Sequence, residues 1–361
     1  MTTSSAGPIV TSSTGAVLPS SRTRLEWIDT ARGASILLVV LYHATLFAAA
    51  AGFENAAWDL VNGAAQPLRM PLFFFLSGLL ASRAVERSWR ELVPGRLGSN
   101  LYLYVLWASL AFAVFSLVPY ERQGAPRGFA HWIQSTFLLP ENGHWYLLLL
   151  ALFTAAGKVL RPVPSAFLLP AAAAVSAVAC TDVVSASFVW NNCLLLFGFF
   201  AAGLRLRTTA FRLSQEWARP RRAGALVLLV GTTALVAAHS GWMQVFGVRT
   251  VLGVGAVAAG VAAAAALSGT RLGRPLASLG RNTLPLYLAH EVVLALLVLA
   301  LAPAAGTSLT DPLRWIAPAL LVAAGTGVVV ALRRHLIRVP GLLSPPWSPP
   351  RLDSAVPARR S

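Results

Sequence analysis

Residues 27–44 read WIDTARGASILLVVLYHA, and the apolar run that starts at residue 33 continues to residue 52. A helix needs about 20 consecutive apolar residues to cross a bilayer, so this run is long enough. Further apolar runs follow along the chain, at 100–119, 165–181, 223–238, 250–268 and 284–302. They are too long and too uniformly apolar for the short alternating strands of a membrane barrel. Since only helices and closed barrels satisfy the backbone inside lipid, the sequence predicts an all-α bundle of membrane-spanning helices.

Composition supports a membrane protein and excludes two other classes. Hydrophobic residues make up 56% of the chain and charged residues 12%, about half the charged share of a soluble domain. The net charge of +16 comes from arginines that lie between the apolar blocks, which is a topology signal and not a nucleic-acid interface. Cys180 and Cys193 form neither a disulfide framework nor a thiolate metal site, so we predict no metal and no bound cofactor.

The arginines predict the topology. We place ten helices, at 33–52, 66–82, 100–119, 143–160, 165–181, 188–204, 223–239, 249–268, 282–302 and 314–333, and sorting the basic residues by loop supports this number. With these helices, 24 of the 29 basic residues fall on one side. The positive-inside rule makes that side cytoplasmic and places both termini there.

Three regions follow from this topology. Residues 1–28 are Ser/Thr-rich and lack a signal peptide, so we predict a disordered cytoplasmic N-terminus. Residues 29–335 form the transmembrane domain. Residues 336–361 contain a Ser-Pro-Pro-Trp-Ser-Pro-Pro run and are predicted to be a disordered cytoplasmic tail. No segment remains for a separate soluble enzyme domain, so any catalysis belongs to the membrane core.

The first helix carries two ionisable residues that are costly in lipid and are therefore candidates for function. Arg32 and His43 are eleven residues apart, which is close to three helical turns, so they share a face about 16 Å apart. His43 lies near mid-membrane and Arg32 near the cytoplasmic end. The structural alternatives are a neutral histidine hydrogen-bonded to a neighbouring helix, and an arginine that anchors the helix by the positive-inside rule.

Polar residues on two other helices have both a structural and a functional interpretation. Arg69 lies at the outer end of the second helix and either orients a substrate or is structural. Ser77 precedes a glycine, which allows close helix packing. His144 and Trp145 open the fourth helix, where an aromatic cluster also serves as an interfacial anchor.

The ninth helix carries Asn282, Tyr287 and His290. Tyr287 and His290 are three residues apart and share a face, whereas Glu291 points about 100° away from His290. His290 is either part of a site or a packed polar contact.

Four of these segments together resemble the acyltransferase 3 family of integral membrane acyltransferases. The pattern of Arg32, ten residues and His43 is similar to the family's first helix. The runs 70–78 (MPLFFFLSG), 144–147 (HWYL) and 279–290 (LGRNTLPLYLAH) resemble its later motifs and occur in family order across about 30–290. The last motif is similar to that of sugar O-acetylase members.

The resemblance implies transfer of an acyl group, commonly acetyl, from cytoplasmic acyl-CoA to a hydroxyl. Acceptors in the family are glycans, glycolipids and glycosylated natural products. We hypothesise that Arg32 meets the anionic donor and that His43 is the general base, with a covalent acyl-histidine left open. The substrate-binding candidates are Arg69, Ser77, His144, Trp145, Asn282, Tyr287 and His290. Tyr42, Asn282 and Tyr287 are unranked candidates for the oxyanion donor.

Two other functions remain compatible with these residues. A transporter or flippase of a glycan or lipid-linked sugar also uses intramembrane His and Arg residues. A non-catalytic scaffold derived from the family would look similar. The expected location is a bacterial plasma membrane, with the lipid bilayer, acyl-CoA and a sugar-containing acceptor as partners and no nucleic acid.

Overall fold

A computed structural model describes residues 21–117, 128–140, 142–184 and 187–348. Within these ranges the chain is helical and contains no strand. The helices are α1 (Ser21–Ala50), α2 (Ala56–Ala81), α3 (Trp89–Leu92), α4 (Gly98–Leu117), α5 (Gly128–Ile133), α6 (Trp145–Val159), α7 (Ser165–Ala179), α8 (Phe188–Arg205), α9 (Arg207–Glu216), α10 (Pro220–His239), α11 (Val248–Leu267), α12 (Gly273–Arg281), α13 (Thr283–Leu301) and α14 (Thr310–Arg338).

The prediction of an all-helical polytopic membrane protein is confirmed. In the described part of the chain, eight helical segments are long and apolar enough to cross a bilayer: α1, α2, α3 with α4, α8, α10, α11, α13 and α14. Helices α6 and α7 occupy the positions of the fourth and fifth predicted helices but have 15 residues each. At 1.5 Å per residue they span about 22 Å, less than the ~30 Å hydrocarbon core. Ten crossings and cytoplasmic termini therefore stay predictions.

The first two helices define the two sides of the bundle. A short connection after Ala50 makes α1 and α2 antiparallel neighbours, and Asn62 Nδ2 donates to Thr45 Oγ1 across the pair at 3.0 Å. We call the side where α1 begins and α2 ends the arginine-rich side. The opposite side, where α1 ends, is the arginine-poor side.

Helices α2 and α8 approach each other closely. A side chain at Gly78 would overlap the Phe200 carbonyl, and one at Gly203 would overlap the Phe75 carbonyl. Two glycines facing the partner's backbone let the helices pack at short distance, as small residues do in membrane bundles. This packing holds the aromatic run of α2 against the middle of the protein, where Phe74 is fully buried.

The described residues between α4 and α6, from residue 128 onward, pack against the bundle. They include α5 and a π-helical turn, Gln134–Leu138. Tyr104 Oη donates to the Thr136 carbonyl at 2.5 Å, and Asn142 Nδ2 donates to Tyr104 Oη at 3.1 Å. These bonds tie the segment to α4, so α6 begins inside the protein with His144 fully buried.

The described helices extend beyond the predicted transmembrane domain at both ends. Helix α1 begins at Ser21, before the predicted boundary at residue 29, and α14 continues to Arg338. Residues 339–348, within the segment predicted as a disordered tail, pack against the bundle, where Leu342 and Leu343 join the main hydrophobic core. The rest of that tail and residues 1–20 lie outside the described residues.

Candidate active site

A cavity of about 650 Å³ lies in the arginine-poor half of the bundle. Its upper wall comes from the ends of α1, α2, α8 and α11 that meet on this side. Its deeper wall carries four polar side chains from three helices: His43, Arg69, Tyr287 and Glu291. The size suits a small-molecule or sugar-sized ligand, since ligand cavities span about 300–1,000 Å³.

His43 and Glu291 form an ion-pair contact at the bottom of this cavity. His43 Nε2 lies 3.2 Å from Glu291 Oε1, and their side chains are 14% and 9% exposed. His43 comes from the second half of α1 and Glu291 from the middle of α13. A carboxylate inside a membrane bundle is costly unless it is paired, so the contact explains how Glu291 is tolerated there.

Carbonyl contacts fix the hydrogens on the two neighbouring imidazoles, because a carbonyl oxygen can only accept. His43 Nδ1 lies 3.0 Å from the Val39 carbonyl, and His290 Nδ1 lies 2.6 Å from the Tyr287 carbonyl. Both Nδ1 atoms therefore carry hydrogen. His290 Nε2, 3.2 Å from His43 Nδ1, is then an acceptor for the same hydrogen. Consequently His43 Nε2 and Glu291 are in attractive contact only when one proton lies between them.

The start of α6 encloses Glu291. His144 Nε2 donates to the Leu288 carbonyl at 2.9 Å, which turns Nδ1 towards Glu291 Oε2 at 4.0 Å. Neither of these facing atoms has a hydrogen-bond partner among the described residues. A side chain at Gly143 would overlap the Glu291 carboxylate. Glycine at 143 is thus required for the carboxylate to reach His43.

Two tyrosines, Tyr287 and Tyr146, form hydrogen bonds with residues around the site. Tyr287 Oη donates to the Gly143 carbonyl at 3.0 Å. Ser77 Oγ donates to the Phe73 carbonyl at 2.8 Å, so the Tyr146 hydroxyl is the donor in its 2.6 Å contact with Ser77. Ser77 therefore accepts a hydrogen bond from Tyr146, which lines the cavity, but Ser77 itself does not line it.

Arg69 is a buried cation in the cavity wall. It is 9% exposed, and its Cζ lies 4.1 Å from the centre of the Tyr42 ring. The Tyr42 ring in turn contacts His43 edge-on, with centroids 5.2 Å apart. Among the described residues no carboxylate lies within 4.0 Å of Arg69, and its Nη1 has no hydrogen-bond partner. The cation–π contact with Tyr42 offsets part of its desolvation cost.

The remaining predicted site residues have separate positions. Trp145 lines the cavity and stacks on Phe74, with centroids 6.2 Å apart. Arg32 lies outside the cavity towards the arginine-rich side, where its Nη2 donates to Thr283 Oγ1 at 2.6 Å. Asn282 donates to the Ser278 carbonyl one turn earlier and does not line the cavity.

Glu291 is the site residue that the sequence reasoning missed. A helical wheel separates it from His290 by about 100°, which argues against a shared site. Both nevertheless reach His43, because the two ring nitrogens of one imidazole point in different directions. The adjacent His-Glu pair inside an apolar helix was the available signal, since two ionisable residues together in lipid need a common partner.

A membrane bundle with an acid–base pair in an internal cavity has the features of an integral membrane transferase. The sequence profile described as an acyltransferase domain matches residues 25–334. The chain belongs to the acyltransferase 3 family and is a multi-pass membrane acyltransferase. No curated protein and no solved structure matches it.

Proposed function

We propose that this protein transfers an acyl group, with acetyl favoured, from cytoplasmic acyl-CoA to a hydroxyl of a sugar-containing surface or secreted acceptor. The observation that carries the proposal is the His43–Glu291 pair at the bottom of the cavity. It supplies an acid and a base side by side, which is what acyl transfer to a hydroxyl requires. The proposed location is a bacterial plasma membrane.

His43 and Glu291 catalyse the proposed transfer with one proton shared between them. Glu291 lines the cavity and takes the proton of the acceptor hydroxyl. The hydroxyl oxygen forms a bond to the thioester carbon, and the carbon–sulfur bond breaks. His43 Nε2 gives its proton to the leaving thiolate. Transfer of the new proton from Glu291 to His43 across their 3.2 Å contact then restores the starting state. We thus assign the general-base role, which the sequence hypothesis gave to His43, to Glu291, and propose that His43 is the general acid.

Arg69 is the strongest candidate for stabilising the tetrahedral intermediate. Arg69 lines the cavity that contains His43, and its buried Nη1 has no hydrogen-bond partner among the described residues. A fixed cation in a site that excludes water stabilises a developing oxyanion far more than it would in water. Of the candidates drawn from the sequence, Tyr287 Oη is already donating to Gly143, and Asn282 lies away from the cavity.

The sidedness of the cavity supports separate routes for donor and acceptor. The cavity lies in the arginine-poor half, which the positive-inside rule makes the outer half, so we propose that the acceptor binds there. Its wall carries the amide side chains of Gln66 and Asn192, which are suited to sugar hydroxyls. Arg32 lies on the opposite side, where the anionic donor is proposed to arrive.

The test is mass spectrometry of surface glycans, glycolipids and secreted products from the native cells, a deletion strain and rescued strains. We expect one acylated product to vanish on deletion and to return with the wild-type gene. It stays absent with His43→Ala or Glu291→Gln, provided that membrane levels of each variant equal those of wild type. Full rescue by both variants would refute the proposed chemistry. An unmodified glycan retained in the deletion strain without loss of acylation would favour transport.

A further inference from the structure

The segment that follows α14 is connected by side-chain contacts to the catalytic pair. We define the C-terminal strap as residues 339–348. It turns at Gly341, whose φ of +82° favours glycine, and it re-enters the bundle from the arginine-rich side. The Leu342 carbonyl there accepts a hydrogen bond from Trp107 Nε1 at 2.8 Å. Trp107 lies nine residues into α4, about 13 Å along its axis, so the strap packs along α4 and is not a detached tail.

Trp107 connects the strap to the site. Its indole is 5% exposed, and its ring lies against the His144 imidazole, with centroids 6.1 Å apart and planes inclined by 35°. His144 is fully buried, and its Nδ1 faces the unpartnered oxygen of Glu291 at 4.0 Å. A continuous series of contacts therefore runs from Leu342 through Trp107 and His144 to Glu291.

The far end of the strap is fastened independently. Trp347 Nε1 donates to the Pro94 carbonyl at 3.0 Å, and its ring meets Tyr102 edge-on with centroids 5.3 Å apart. Pro94 belongs to the π-helical turn Val93–Leu97 that precedes α4. Two tryptophans thus hold the strap, Trp107 at Leu342 and Trp347 near its far end, and the half-buried Leu342 and Leu343 pack against the main hydrophobic core.

We infer that the C-terminal strap is a positioning element of the active site, which orients His144 through Trp107 and so fixes the Glu291 carboxylate beside His43. Without the strap, the Trp107 indole loses its hydrogen-bond acceptor and the wall behind His144 loosens. Glu291 is the proposed base, so its displacement slows the chemical step while leaving the rest of the acceptor cavity in place. The kinetic part of this inference rests on the proposed function.

Three variants test it. One chain ends at Val339 and lacks the strap, a matched control ends at Ser348 and keeps it, and Trp107→Phe keeps the ring but removes the N–H donor. For the chain ending at Val339 and for Trp107→Phe we expect kcat to fall about tenfold, equal to ~1.4 kcal/mol, with KM changed less than threefold. Combining the two changes should reduce kcat no further than the more impaired of the two single variants, because both changes break the same contact. The chain ending at Ser348 should match wild type.

A second readout does not depend on turnover. Diethyl pyrocarbonate modifies accessible imidazoles, and peptide mass spectrometry of the purified, monodisperse protein locates the modified histidine. We expect His144 to be protected in wild type and in the chain ending at Ser348, and to be labelled at least fivefold faster without the strap and in Trp107→Phe. Should the chain ending at Val339 fail to fold, Trp107→Phe decides alone. Equal protection of His144 in Trp107→Phe and wild type would overturn the inference. If His144 is labelled as expected but no acyl transfer is detected, the proposed function is refuted, and the structural role of the strap stands.

Discussion

Replacing Glu291 by Gln removes the carboxylate charge while keeping the shape of the side chain. Its Oε1 lies 3.2 Å from His43 Nε2, and its carboxylate is the proposed base, so the substitution removes the group that accepts the proton. General acid–base catalysis contributes about 10²–10⁴-fold, or about 3–5 kcal/mol of the activation barrier. We expect kcat to fall by that factor, with KM changed by less than about threefold, because the amide still fills the same volume.

The free energy of unfolding should change much less than the barrier. Loss of one charge-assisted hydrogen bond costs about 1–3 kcal/mol, but the variant also removes the cost of a charge buried in the bundle. The assay is thiol release from acyl-CoA and product formation by purified protein in lipid nanodiscs, beside a thermal unfolding curve. Glu54→Gln is the matched control, since Glu54 is exposed. A Glu291→Gln protein that keeps the wild-type kcat would refute the assignment of the pair.

Three further substitutions probe the surroundings of the pair. Gly143→Ala places a methyl group where the Glu291 carboxylate lies, so activity should fall at least about tenfold, whereas Gly231→Ala, with nothing within 4 Å of its added atom, should leave it unchanged. Wild-type activity in Gly143→Ala would show that catalysis does not depend on the observed position of the Glu291 carboxylate. Arg69→Gln should lower kcat about 10²–10³-fold if its charge stabilises the oxyanion, and a change confined to KM would assign it to binding instead. Asn282→Ala should keep activity within about twofold in the same assay, because its side chain bonds Ser278 outside the cavity; a larger loss would place it in the mechanism.

The helical membrane architecture was predictable from sequence because lipid acts on local composition. Each long apolar run satisfies its own backbone as a helix, whatever its neighbours do. The same locality explains why Arg32 and His43 were correctly assigned to one helix, α1. Helix starts were harder to predict for α1 and α2, which begin at Ser21 and Ala56 and not at residues 33 and 66, because their first turns are too polar to stand out as apolar runs.

Site residues were predictable where the pattern of a single helix identifies them, and unpredictable where they depend on contacts between helices. His43, Arg69 and Tyr287 line one cavity, and each was singled out as an ionisable or polar residue in an apolar helix. Glu291 depends on how α1 crosses α13, which no single-sequence pattern records. The strap was hidden for a related reason: a Pro-rich segment predicts no structure of its own, and its order comes from contacts with Trp107 and Pro94.

The most direct test of the account is single-turnover transfer by the purified protein in proteoliposomes. Acetyl-CoA labelled in its acetyl group is supplied on one side, and glycolipid and glycan extracts from the deletion strain are supplied as acceptors on the other. The account predicts a labelled, base-labile ester on a sugar-containing product, formed by wild type and about 10²–10⁴-fold more slowly by His43→Ala and Glu291→Gln. Transfer at the wild-type rate in both variants, with each protein folded, would contradict the central claim that this pair performs the chemistry.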